Sequence, residues 1–183
     1  MESEKALIRG CQQGDRLSQR ELYDRFAGQM LAISKRYSKS ELEAEDILQE
    51  SFIKIFRNIS NFREESSLYF WIKRIVVNTA LNSQRSKLYS FPMSDVYELP
   101  LHVGEKFTLA DFHFEELLQM VRELPDGCQT IFNLFAIEGY THRDIAGMLG
   151  ISEGTSKSQY ARARSLLQEK ILKEKGVTYG SSE

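Results

Sequence analysis

Thr141-His142-Arg143-Asp144-Ile145-Ala146-Gly147-Met148-Leu149-Gly150 is the stretch on which the fold turns. Thr141 followed three residues later by Asp144 has the form of a capping box, in which hydroxyl and carboxylate satisfy free amides of a first helical turn. Ile145, Met148 and Leu149 recur at helical spacing as a buried stripe, and Ala146 is small enough for close approach of another helix. Gly150 permits the left-handed backbone that ends a helix and that an L-residue resists. With Ile151 plugging the corner and a second helix beginning near Ser152 to Thr155, this is helix-turn-helix spacing.

That second helix has two faces. Ser156, Tyr160, Ala163, Leu167 and Ile171 share a stripe that packs inward, while Lys157, Ser158, Ala161, Arg162, Arg164 and Ser165 lie elsewhere. From Gly154 to Lys175 there are six bases against two acids. Such a helix can enter the major groove with its first side chains on base edges and its later cations on phosphates. A structural helical hairpin with a solvated basic face is the competing reading.

Upstream, the chain is helical almost throughout. From Ser3 to about Lys87 there is no proline, and apolar residues recur as in Leu22, Phe26, Met30, Ile33 and Tyr37. A second periodic segment runs from about Leu42 to Ile59, and a third from Ser67 to about Lys87, with Ser66 or Ser67 as its N-cap. The texture changes between Ser90 and Asp111, where Pro92, Pro100 and Gly104 interrupt any helical period. This reads as a linker that reaches about 70 Å if fully extended; a short strand at Val96–Leu101 is the alternative. Helical spacing resumes with Phe114, Leu117, Leu118, Val121 and Leu124. Pro125-Asp126-Gly127 is read as a turn before a helix from Thr130 to Ile137. The expectation is an all-α fold of two small helical domains, 1–89 and 112–175, joined by the flexible linker 90–111 and followed by a tail, 176–183.

Two N-terminal surfaces carry candidate function. In the segment Glu45 to Phe56, Ile47, Leu48, Phe52, Ile53, Ile55 and Phe56 cover more than half the helix circumference. Asp46, Gln49, Glu50 and Lys54 share the rest. Such a helix is central to a bundle or docks a partner, and periodicity does not separate the two. The second surface runs from Asn61 through Phe62, Arg63, Trp71, Lys73, Arg74 and Asn78 to Asn82, with no acidic residue from Ser66 through Ser94. Rings interleaved with cations and amides suit single-stranded DNA, whose bases stack while its backbone follows positive charge. A core helix is the alternative, with Trp71 and Phe70 in the core.

Charge and chemistry narrow the classes. The 24 Lys+Arg against 26 Asp+Glu give a formal charge of -2, which argues against a protein that coats nucleic acid by bulk charge. His102, His113 and His142 lie in no metal-ligand spacing, and there is no Gly-rich phosphate loop or nucleophile motif. The cluster Glu41, Glu43, Glu45, Asp46 and Glu50 is a solvated helix start before it is a cation site. We therefore expect no enzyme, no metal and no cofactor. Cys11 and Cys128 form no framework, and neither a secretory signal nor a membrane span is visible, which fits a soluble protein of the cytoplasm.

Taken in order, these parts resemble the short two-domain members of the sigma-70 family of bacterial RNA polymerase sigma factors, the extracytoplasmic-function group. The matching pieces are Asp46-Ile47-Leu48-Gln49-Glu50-Ser51-Phe52, Phe62-Arg63 through Ser66, Trp71-Ile72 with Arg74-Ile75 and Asn78, Leu124-Pro125, Glu138-Gly139, Asp144-Ile145-Ala146 and Gly154-Thr155-x-Lys157-Ser158 with Ala161-Arg162-Ala163-Arg164. The resemblance implies that Asp46, Gln49, Glu50 and Lys54 bind the largest subunit of core RNA polymerase. Asn61, Phe62 and Arg63, with Lys73, Arg74, Asn78 and Asn82, would capture a melted −10 promoter element. Lys157, Ser158, Gln159 and Ala161 would face bases of the −35 element, with Thr155, Arg162 and Arg164 nearer its phosphates. The linker would thread toward the active-site and RNA-exit channels; the second-largest polymerase subunit and an anti-sigma factor are further implied partners.

Three positions depart from the family pattern. Ser156 replaces a usual apolar residue and is expected to loosen recognition-helix packing. Gln159 stands where a base is frequent, and Glu64 where glycine is common. A stand-alone helix-turn-helix regulator and a helical protein-binding adaptor are the competing functions; the first would bind duplex without polymerase, and the second would not need its bases.

Overall fold

Short polar side chains mark where the helices begin. The structure, a computed structural model, describes residues 2–88 and 114–174. Helix α1 is Glu2–Gln12, α2 is Arg16–Tyr37, α3 is Glu41–Asn58 and α4 is Leu68–Leu88. Asp15 caps α2, its carboxylate accepting from the Ser18 amide at 2.9 Å and hydroxyl at 2.6 Å. Ser40 caps α3 by accepting from the Glu43 amide at 3.2 Å, and Glu43 accepts in turn from the Lys39 amide at 2.8 Å. Ser67 caps α4 through the Phe70 amide at 3.4 Å. The acids at the start of α3 sit at its N-terminal end, where Glu41 pairs with Lys35 at 2.7 Å.

The chain divides into two compact units, Met1–Ser83 and Gln84–Glu183. In the first, the stripe Leu22, Phe26, Met30, Ile33 and Tyr37 of α2 is buried, as are Ala44, Ile47, Leu48, Phe52 and Ile55 of α3. The two helices pack together, with the Tyr23 and Phe52 rings 4.6 Å apart. Leu68, Ile72, Val76, Val77 and Ala80 form the buried face of α4. Phe70 departs from expectation: it is 61% exposed instead of lying in the core. Its place in the helix puts it away from the stripe that Leu68, Ile72 and Val76 occupy.

In the second unit, α5 is Phe114–Arg122, α6 is Asp126–Phe132, α7 is His142–Leu149 and α8 is Glu153–Glu174. Helix α6 begins four residues earlier than its expected start at Thr130. Pro125 sits at the N-cap, where a missing amide costs nothing, and its carbonyl accepts from the Gln129 amide at 2.9 Å. A π-helical turn, Asn133–Ile137, follows α6. Val121, Leu124, Cys128 and Ala163 form a buried cluster with Phe132, Leu166 and Leu167 against it, so α8 is held along its inner stripe. The linker 90–111, its alternative strand at 96–101 and the tail 176–183 lie outside the described residues.

The decisive stretch folds as its composition dictates. Thr141 Oγ1 accepts from the Asp144 amide, and Asp144 Oδ2 accepts from the Thr141 amide, both at 3.2 Å. Gly150 sits at φ 68 and ψ 33, and the Ile151 amide turns back to the Ala146 carbonyl at 3.1 Å. A side chain at Gly150 would meet no steric neighbour, so its requirement is backbone conformation alone. Gly150→Ala should therefore lower stability by about 1–2 kcal/mol in chemical denaturation, the cost of a left-handed L-residue.

The same cap sets an acid dependence. Hydrogen bonds from the Thr141 hydroxyl and amide hold the Asp144 carboxyl below its ordinary range. A depressed native value means the stabilisation is complete above the unfolded value, near pH 4, and is lost as pH falls through the native one. Asp144→Asn should show a shallower loss of stability between neutral and strongly acidic pH than the parent chain, measured by denaturant titration at each pH.

Candidate nucleic-acid interface

Helix α8 starts at Ser152, whose hydroxyl accepts from the Thr155 amide at 2.9 Å and lies 2.8 Å from the Thr155 hydroxyl. Thr155 is thus half-buried in the cap. Lys157 is exposed and reaches Glu153 at 2.7 Å, and its cation holds the Glu153 carboxyl below the ordinary range. Ser158 donates to the Thr155 carbonyl at 3.0 Å. Arg162 and Arg164 are exposed, and Ala161, just before them, is half-buried. The helix therefore presents small and hydroxyl groups near its start with cations beside and after them.

Two internal contacts orient this helix, and periodicity reveals neither. Ser156 is fully buried, with its hydroxyl 2.9 Å from His142 Nδ1. The His142 ring stacks on Phe135 with centroids 4.2 Å apart, and Tyr160 tilts against Phe135 at 4.5 Å. The expected loosening at Ser156 is not what the structure shows, because a side-chain hydrogen bond from α7 fills the place of an apolar contact. Gln159 is also engaged: its Oε1 accepts from the buried Cys128 thiol at 3.0 Å. The amide nitrogen of the same group is a pure donor.

On the first unit, Arg74, Asn78 and Asn82 are exposed along α4, and Lys73 is half-buried. Asn61 and Arg63 are exposed in the segment before the helix. Phe62 is buried, at 6% exposure, with its ring 5.1 Å from Trp71, and it also lines a cavity beside this loop. Glu64 adopts φ 58, the left-handed region, which explains why glycine suits this position. A cavity of about 500 Å³ opens between α1, α2 and this loop, lined by Ile8, Arg25, Phe62, Ser66 and Leu68 among others.

Helix α3 buries one face and leaves another in solvent. Asp46, Gln49 and Glu50 are exposed, and so are Leu42 at 69% and Ile53 at 46%. Lys54 is half-buried, 2.7 Å from Glu50, and donates to Thr79 Oγ1 of α4 at 3.3 Å. An open groove of about 600 Å³ runs beside this face, lined by Tyr23, Leu31, Asp46, Gln49, Phe52 and Ile53. Among the described residues no three His, Cys, Asp or Glu side chains are grouped to hold a metal ion, and no helix is long and apolar enough to cross a membrane.

Comparison with known proteins matches these parts in order. The model of Sigma-70 region 2 matches residues 22–88, and that of Sigma-70, region 4 matches residues 114–167. The chain is 31% identical to an ECF RNA polymerase sigma-E factor of Haemophilus influenzae, over 92% of this chain and 95% of that one. It is 29% identical to an RNA polymerase sigma-H factor of Pseudomonas aeruginosa, over 93% and 94% respectively. The fold is also that of the sigma factor RpoE of Bartonella quintana, solved with the anti-sigma factor NepR, at TM-score 0.51 and 22% identity over 83% of this chain and 95% of that one. With both regions matched and nearly the whole chain aligned, this protein belongs to the sigma-70 family, in its extracytoplasmic-function group, and is a sigma factor that directs RNA polymerase to promoters.

Proposed function

We propose that the two units divide promoter recognition between them, residues 1–89 taking core polymerase and the −10 element and residues 112–175 the −35 element. The observation that carries this reading is the pair of separate exposed faces, amide and cation on α4, hydroxyl and cation on α8. On α8, Lys157, Ser158, Gln159 and Ala161 face base edges, and Arg162 and Arg164 hold phosphates, with Thr155 fixing the helix start. The amide nitrogen of Gln159 offers a donor, which suits an acceptor such as guanine O6 or thymine O4. On α4, Arg74, Asn78 and Asn82 take an unpaired strand, with Lys73 beside them and Asn61 and Arg63 entering from the loop. Phe62 keeps that loop in place. Asp46, Gln49, Glu50 and Lys54, bordered by Leu42 and Ile53, dock the largest polymerase subunit, an apolar patch rimmed by charge. Residues 90–111 join the two units along the chain, and core polymerase is engaged through its second-largest subunit as well.

The protein acts without catalysis of its own, in the cytoplasm, where the polymerase works. An anti-sigma factor, of the kind found with RpoE of Bartonella quintana, would hold it inactive by covering these faces. Two modest readers on one tether reinforce each other when a scaffold fixes their spacing. Core polymerase is that scaffold, and the chain's own charge is too evenly balanced for strong binding of duplex DNA.

Lys73→Ala combined with Arg74→Ala should weaken promoter opening by about 5- to 100-fold while changing core affinity far less. Permanganate footprinting of the opened strand and a fluorescence titration of core polymerase read the two effects separately. Equal losses in both would count against placing these residues on DNA.

A further inference from the structure

Gln159 lies half-buried near the start of α8, and its Oε1 is 3.0 Å from the thiol of Cys128. Cys128 stands on α6, 0% exposed, in the cluster with Val121, Leu124 and Ala163. Helices α6 and α8 pack along this seam, so the core fixes the thiol while Gln159 keeps part of its surface in solvent. An apolar side chain of similar size would fill the same place; the thiol adds a proton that an amide oxygen accepts.

A base at position 159, frequent in the family, offers donors alone. Glutamine differs. Its amide carries a donor arm and an acceptor arm of nearly equal shape, and a half-turn exchanges them. Left free, a glutamine pairs well with adenine, accepting from N6 while donating to N7. With Oε1 already taking the thiol proton, the arm that adenine's amino group needs is engaged. The nitrogen arm suits guanine, whose O6 and N7 are both acceptors, or thymine O4.

We propose that Cys128 is a positioning residue that sets the base preference of Gln159, holding its amide as a donor and turning it from adenine toward guanine or thymine. This rests on the reading of α8 as the −35 helix. The bias is limited to what one thiol hydrogen bond supplies, about 2- to 10-fold between bases.

The experiment uses holoenzyme reconstituted from core polymerase and the full chain. The parent holoenzyme selects a promoter from a randomised pool, and binding is then scored by sequencing with each base at every −35 position. Gln159→Ala locates the position that Gln159 reads. There Cys128→Ala should raise adenine relative to guanine or thymine by about 2- to 10-fold, with other positions unaltered. Cys128→Ser, which keeps a donor, should retain the parent preference. The readout is a ratio among bases within one holoenzyme, so a lower stability or active fraction leaves it unmoved. An unaltered ratio with Cys128→Ala, or adenine already preferred by the parent chain, would overturn the positioning role and leave Gln159 on its base. A weakening spread evenly over the −35 positions, or the same adenine shift with Cys128→Ser, would overturn it in favour of core packing. If Gln159→Ala changes preference at no position, the base contact itself falls, and the proposal with it.

Discussion

Positive charge is the scarce resource of this chain, and its distribution explains how the rest is used. With 24 bases against 26 acids there is no surplus to release counterions from duplex DNA. Several of the cations are moreover engaged at home: Lys157 with Glu153, Lys54 with Glu50 and Lys35 with Glu41 at 2.7 Å each, and Lys170 with Glu123. Exposed pairs of this kind contribute about 0–1 kcal/mol, so they yield to a phosphate when geometry brings one close. They nevertheless reduce attraction at a distance. A protein built this way depends on being placed against DNA more than on drawing it in.

Placement is what the helical architecture supplies. Hydroxyl and carboxylate caps fix where α2, α3, α4, α7 and α8 begin, and therefore which side chains face outward. The left-handed Gly150 sets the corner between α7 and α8, and the Val121–Leu124–Cys128–Ala163 cluster anchors the inner stripe of α8. His142 and Ser156 bind the two helices of the motif with a directional contact in place of an apolar one. On α4, the buried side of Leu68, Ile72 and Val76 forces Phe70, Arg74 and Asn78 outward.

Much of this was legible from residues alone, because helix periodicity and capping are local. The capping box at Thr141 and Asp144, the turn at Gly150 and the inward stripe of α8 follow from spacing. What escaped was tertiary. Whether Phe62 and Phe70 face inward depends on where the stripe of α4 meets other helices, and hydrophobicity alone put Phe70 on the wrong side. The start of α6 was hidden because proline ends helices and also begins them. Cys128 with Gln159 and His142 with Ser156 lie 31 and 14 residues apart, beyond any local pattern. The face of α3 was ambiguous because the helix does two things, burying Ile47 and Ile55 while leaving Leu42 and Ile53 in solvent.

The central claim is that neither unit holds promoter DNA firmly until polymerase fixes both. It is tested most directly by comparing the pure chain with its holoenzyme on a genomic fragment carrying a promoter. Gel shift of the duplex and run-off transcription are scored side by side. The account predicts no sequence-specific shift by the chain alone at roughly micromolar concentration, and a defined transcript once core polymerase is added. A tight, specific shift of intact duplex by the chain alone, with no transcript from the reconstituted enzyme, would contradict it.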